Sequence, residues 1–207
     1  MVYSMKTLFA GCLMLSLATL PSACGNTKNP AAASDTSKTD SNAARFFPIA
    51  DYLASEIRYV DSTPLAILRL ETFHNRTDSS FLTPAEFHRL ATTVFLPREI
   101  DSARLQKDYT ENSFGDKTTG YLTFTYAPRD RTMAVQKIDV VIQQGESHDQ
   151  VKSIYMEREE KLSDTLMIKK MYWQARQSFL VITSLQLPGK APEVRQLKVV
   201  WNNEGTD

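Results

Sequence analysis

Phe179-Leu180-Val181-Ile182-Thr183-Ser184-Leu185-Gln186-Leu187 is the run whose reading decides the fold. Side chains of a strand alternate between faces. Phe179, Val181, Leu185 and Leu187 therefore share one face, and Leu180 and Ile182 the other. A strand apolar on both faces belongs inside a sheet, paired along both edges and covered on both sides. On that reading Ile182→Asp abolishes cooperative unfolding, while the same change at outward-facing Thr123 is tolerated.

Working outward, the same two-residue period recurs. Leu122, Phe124 and Tyr126 alternate with Tyr121, Thr123 and Thr125, and Ile138, Val140 and Ile142 alternate with Asp139, Val141 and Gln143. Residues 65–74, 151–160, 165–175 and 194–201 are further strand-like runs. Gln144-Gly145-Glu146, Leu162-Ser163-Asp164 and Leu187-Pro188-Gly189 separate strands as turns, and Asn75-Arg76-Thr77-Asp78 reads as another. Spacers this short favour consecutive antiparallel hairpins over crossovers.

Helical spacing appears only in the first half of the domain. Ile49, Leu53, Ile57 and Val60 recur every three or four residues after Pro48, and Asp61-Ser62-Thr63-Pro64 ends that run. Thr83-Pro84-Ala85-Glu86 is a capping-box start, with Phe87, Leu90, Ala91 and Val94 behind it and Pro97 as the stop. Asp101 caps a third, short helix carrying Leu105 and Tyr109. The expected fold is α+β, with short N-terminal helices packed on a curved antiparallel meander of about six to seven strands. Its boundaries are 46–203, with a tail at 204–207.

Ahead of the domain, residues 25–44 are Ala, Ser, Thr, Asn, Asp and Lys, with Gly25 and Pro30, and hold no large apolar side chain. Such a segment cannot offset its ordering entropy and reads as a disordered tether, with an r.m.s. span of roughly 25 Å. Before it, Lys6 is followed by an uncharged apolar run over 8–20, too short for a membrane span, which needs roughly 20 residues. Small residues then lead into a cysteine, Ser22-Ala23-Cys24, and Met5 is the better-placed start.

Ser22-Ala23-Cys24 resembles the last three positions of the lipobox of bacterial lipoproteins. Pro21 departs from it, with Leu20 one place early. The resemblance implies a signal peptide over 1–23, cleavage between Ala23 and Cys24, and diacylglycerol and acyl chains on Cys24. Two or three chains anchor a protein stably, since each buried methylene adds about 0.8 kcal/mol. No acidic run follows Cys24, and Gly25 is not the Asp that retains enterobacterial lipoproteins in the inner membrane. By that resemblance the address is the outer membrane, facing the periplasm. Phe46-Phe47-Pro48-Ile49-Ala50-Asp51-Tyr52, Asp61-Ser62-Thr63-Pro64-Leu65 and Phe95-Leu96-Pro97-Arg98-Glu99-Ile100-Asp101-Ser102 look like small lipoproteins of Bacteroidota-type bacteria, a family with no assigned activity.

Composition narrows the function. Lys+Arg and Asp+Glu total 24 each, and Lys6 alone of these precedes Cys24, so nothing electrostatic favours nucleic acid. The two cysteines are Cys12 in the signal and Cys24, which leaves no thiol for a disulfide, a Cys-zinc site or a nucleophile in the domain. His74, His88 and His148 lack metal-ligand spacing, and no phosphate loop, dinucleotide loop or nucleophile elbow is present. Glu157 and Glu159, about 7 Å apart on one strand face, read as a solvated strand end. The expectation is no cofactor, no metal and no catalytic residue. Tyr155, Tyr172, Trp173 and Trp201 are the candidate ligand-lining residues, although aromatics in a sheet are more often core. Three classes stay open: a non-catalytic envelope module binding a protein partner, a carrier of an apolar or sugar-like ligand in the concave face of the sheet, and an enzyme.

Overall fold

The computed structural model describes residues 46–202. Ala23, Cys24 and the tether over 25–44 lie outside the described residues. The elements in chain order are α1 (Ile49–Ser62), β1 (Ile67–Phe73), β2 (Arg76–Leu82), α2 (Pro84–Phe95), a 3-10 turn (Arg98–Ile100), α3 (Ser102–Asp108), β3 (Tyr109–Asp116), β4 (Tyr121–Pro128), β5 (Val135–Gln143), β6 (Gln150–Leu162), β7 (Thr165–Gln174), β8 (Ser178–Gln186) and β9 (Glu193–Val200). The fold is α+β, with three helices on one curved, open antiparallel sheet. Strands β3 to β9 form a meander, β1 returns to pair with β9, and β2 pairs with β1, giving the order β2-β1-β9-β8-β7-β6-β5-β4-β3.

The sheet has nine strands, not six or seven. The two additions, β2 and β3, are its two edges. Only His74 and Asn75 form the turn after β1, both at positive φ (47° and 62°), which is the backbone of a two-residue hairpin loop. Arg76, expected in that turn, opens β2. Tyr109, expected on α3, opens β3, where its ring is buried and its hydroxyl donates to the Val135 carbonyl at 3.0 Å. Burial and the nearby Glu99 and Asp108 carboxylates push this hydroxyl's pKa up to about 12.

Each helix forms where its sequence cues stand. Thr83 Oγ1 accepts from the Glu86 backbone N–H at 3.3 Å, and the Glu86 carboxylate accepts from the Thr83 N–H at 2.8 Å. The Thr83 N–H and the Thr83 hydroxyl, which donates to the same carboxylate at 2.8 Å, hold the Glu86 carboxyl below its ordinary pKa. Phe87, Ala91 and Phe95 then project from one side of α2, and Ile49, Leu53, Ile57 and Val60 from one side of α1.

The register fixes which strand residues meet them. The cross-sheet row Val199–Phe179–Trp173–Ile154–Val140 and the row Leu197–Val181–Met171–Met156–Ile138–Tyr126 lie on the helix-covered face. Phe87, Phe95, Trp173, Phe179 and Trp201 make a close aromatic cluster there, with Phe95 edge-on to Trp173 at 5.1 Å and to Phe179 at 5.2 Å. The strand β8 is interior, paired with β7 and β9 as expected. Its two faces are unequal, however. Phe179 and Val181 are buried under the helices, while Leu180 and Ile182 are half-buried on the other face, where no helix of the described residues packs.

Candidate functional site

Below the aromatic cluster, the helix-covered face changes character one strand row at a time. The row Leu197–Val181–Met171 is apolar. The next row is Arg195–Thr183–Lys169–Arg158, four directly paired residues on four neighbouring strands. The C-terminal half of α2 stops short of covering this row and contributes Thr93 and Val94 as a wall. The result is a hollow of about 370 Å3 lined by these residues together with Glu71, Glu160 and Gln196. Its size falls within the roughly 300–1,000 Å3 of small-molecule sites.

The charges in the hollow are unevenly satisfied. Glu71 is taken by Arg69 at 2.6 Å. Glu160 is taken by Arg158 at 2.6 Å, and Arg158 also faces Glu99 at 3.6 Å. Arg195 stacks its guanidinium on the Phe73 ring at 4.2 Å and has no ion pair among the described residues. Lys169 is half-buried, and among the described residues neither its ammonium nor the Thr183 hydroxyl beside it has an ion-pair or hydrogen-bond partner. Lys169 also sits directly opposite Arg158, a like-charge pairing that disfavours the ladder. The arrangement can hold an anion. Its two carboxylates are both engaged by arginines.

The four aromatics singled out in the sequence do not converge. Trp173 and Trp201 are core, with ring centroids 5.2 Å apart. Tyr155 and Tyr172 are direct cross-strand partners on the opposite, uncovered face. The Tyr155 hydroxyl donates to Glu157 at 2.7 Å, and partial burial, that bond and the Asp139 charge raise its pKa. Glu157 and Glu159 lie on that face too, Glu157 opposite Lys170. His74 stacks on Phe73, His88 bonds Asp61, and His148 lies beside Gln150. Among the described residues no three His, Cys, Asp or Glu side chains gather as a metal site would require.

Sequence reasoning missed a second polar feature, the buried Glu56 of α1, 2% exposed. Its carboxylate accepts from the Arg176 backbone N–H at 2.8 Å and the Trp173 indole N–H at 3.4 Å, and pairs with Arg176 Nε at 3.0 Å. Arg176 occupies the β7–β8 turn at φ 62°, and its guanidinium covers the Tyr59 ring at 3.9 Å. This network pins α1 to the hairpin. A glutamate on the apolar stripe of α1, spaced with Leu53 and Val60, is the signal that was available.

No protein-family model, curated protein or solved structure matches this chain.

Proposed function

We propose that this chain is a lipid-anchored protein of the bacterial envelope whose domain is a non-catalytic binding module, with the hollow beside α2 as its ligand-facing site. The observation that carries the reading is the state of the charges there. Lys169, Thr183 and Arg195 are free to hold something, whereas Glu71 and Glu160, the carboxylates that acid–base chemistry would need, are each locked to an arginine. The anchor rests on Ser22-Ala23-Cys24 behind an apolar run. In this reading the lipid on Cys24 supplies the attachment; no helix of the described residues is long and apolar enough to cross a membrane.

Two measurements in intact cells test it. A palmitate analogue should label the wild type and spare Cys24→Ser, and equal labelling of both removes the anchor. A photo-reactive residue replacing Thr93 on the wall of the hollow should form a discrete adduct. The same residue at Thr123, on the uncovered face, should not. Equal adducts at both positions, or none at Thr93, overturn the hollow as the binding site.

A further inference from the structure

The hollow has a polarity of its own. Its cationic row and its apolar row are adjacent, and the order of atoms across them is fixed by the strand register. We propose that it binds a small anionic amphiphile, a molecule with a carboxylate or phosphate head and an unbranched apolar chain. This rests on the reading of the hollow as a binding site and names the ligand class.

The head is placed by Lys169, Thr183 and Arg195. These three stand side by side on β7, β8 and β9, so neighbouring backbones are about 4.8 Å apart. An oxyanion lying over Thr183 has the Lys169 side chain on one side and the Arg195 side chain on the other, with the hydroxyl beneath it as a donor and the guanidinium swinging in from the Phe73 ring to meet it. Charge-assisted bonds of this kind are among the stronger hydrogen bonds. The anion also relieves the facing of Lys169 and Arg158, whose other neighbour, Glu160, is already spent on Arg158. The chain is placed by the next row. Leu197 and Val94 of α2 are only partly buried and offer the chain its open apolar surface, with the nearly buried Met171 and Val181 as the floor beneath. A purely polar anion leaves this row unused, and a neutral hydrocarbon leaves Lys169 without a counter-ion. A molecule carrying both ends uses both.

The test uses the full chain and 11-(dansylamino)undecanoate as the probe, read by its fluorescence. Wild type should bind it saturably. Lys169→Met keeps the length and apolar stem of the side chain and removes its charge, so it should weaken binding tenfold or more. Lys169→Arg should stay within about threefold of wild type. Lys170→Met, one residue along on the opposite face, should leave binding unchanged. The matching dansyl alcohol should bind at least tenfold more weakly, and millimolar inorganic phosphate alone should not displace the probe. Absence of saturable binding by wild type overturns the proposal, as does wild-type affinity in Lys169→Met, equal affinity for the alcohol, or complete displacement by phosphate. An adduct at Thr93 in cells together with any of these results rejects the ligand class and keeps the site. Absence of that adduct removes the site itself.

Discussion

At the scale of single residues, Glu56 is the clearest case of a group that the fold depends on. A buried carboxylate is tolerated only when its lone pairs are met, and here three N–H groups meet them. Glu56→Ala strips those bonds and leaves the indole N–H of buried Trp173 unmet. Bonds to charged groups contribute about 1.5–3 kcal/mol each and an unmet buried donor costs about 1–3 kcal/mol, so a loss of about 2–4 kcal/mol is expected in urea unfolding. Arg176→Ala should cost under about 1 kcal/mol, because that guanidinium is 55% exposed and the backbone N–H remains. Equal losses in the two variants would mean that the guanidinium pair, and not the carboxylate's bonds to the backbone and indole N–H groups, sets the energy. Some residue-scale features were legible in the sequence. Thr83 and Glu86 are three apart, so their capping box is visible locally. Glu56 and Arg176 are 120 residues apart, and no local spacing can announce such a pair.

At the scale of elements, legibility followed burial. A strand under the helices alternates because one face is dry, and the seven strands with that alternation or with apolar runs were readable. The strands β2 and β3 are edges. Five residues of β2, Arg76-Thr77-Asp78-Ser79-Ser80, are polar and exposed, and β3 has four consecutive exposed positions. With water on both sides no period is imposed, so such strands look like loops. The hollow was hidden for a related reason. Lys169, Thr183 and Arg195 lie on three different strands, and only the register makes them one row. In β8 the apolar pattern showed the strand's interior position but not which face is core. Phe179 touches Phe87, Phe95 and Trp173, whereas Ile182 is half-buried on the uncovered face. The expectation for Ile182→Asp is therefore corrected. Phe179→Ala should cost about 3–5 kcal/mol, the usual range for emptying a buried aromatic site. Ile182→Ala should cost less than half of that. Chemical denaturation of both variants decides, and a larger loss at Ile182 would invert the assignment of faces.

At the scale of the whole molecule, the sheet is two-layered on one side only. Leu70, Leu180 and Tyr172 form a row on the uncovered face with Lys198 among them. Interleaved charge of this kind keeps an open face in water. Overall class was accessible from sequence because helical spacing stops before β3 and strand spacing takes over. The placing of β1 and β2 beside β9 was not, since the pairing of β1 with β9 has no local signature. That pairing gives the molecule a temporal order. Leu68 pairs with Val200, and Glu56 with the turn at Arg176. A chain leaving a ribosome or a secretion channel from its N-terminus emerges with α1, β1 and β2 long before the residues that complete them. Contacts so distant along the chain are slow to form. The first quarter of the domain thus gains its full set of contacts only once the last strand is present. Removing residues 193–202 should leave a full-length-minus-ten chain that shows no cooperative melting and is degraded by trace protease, rather than a domain weakened by one strand. A sharp melting transition in that truncated chain would show that the early elements finish folding without the last.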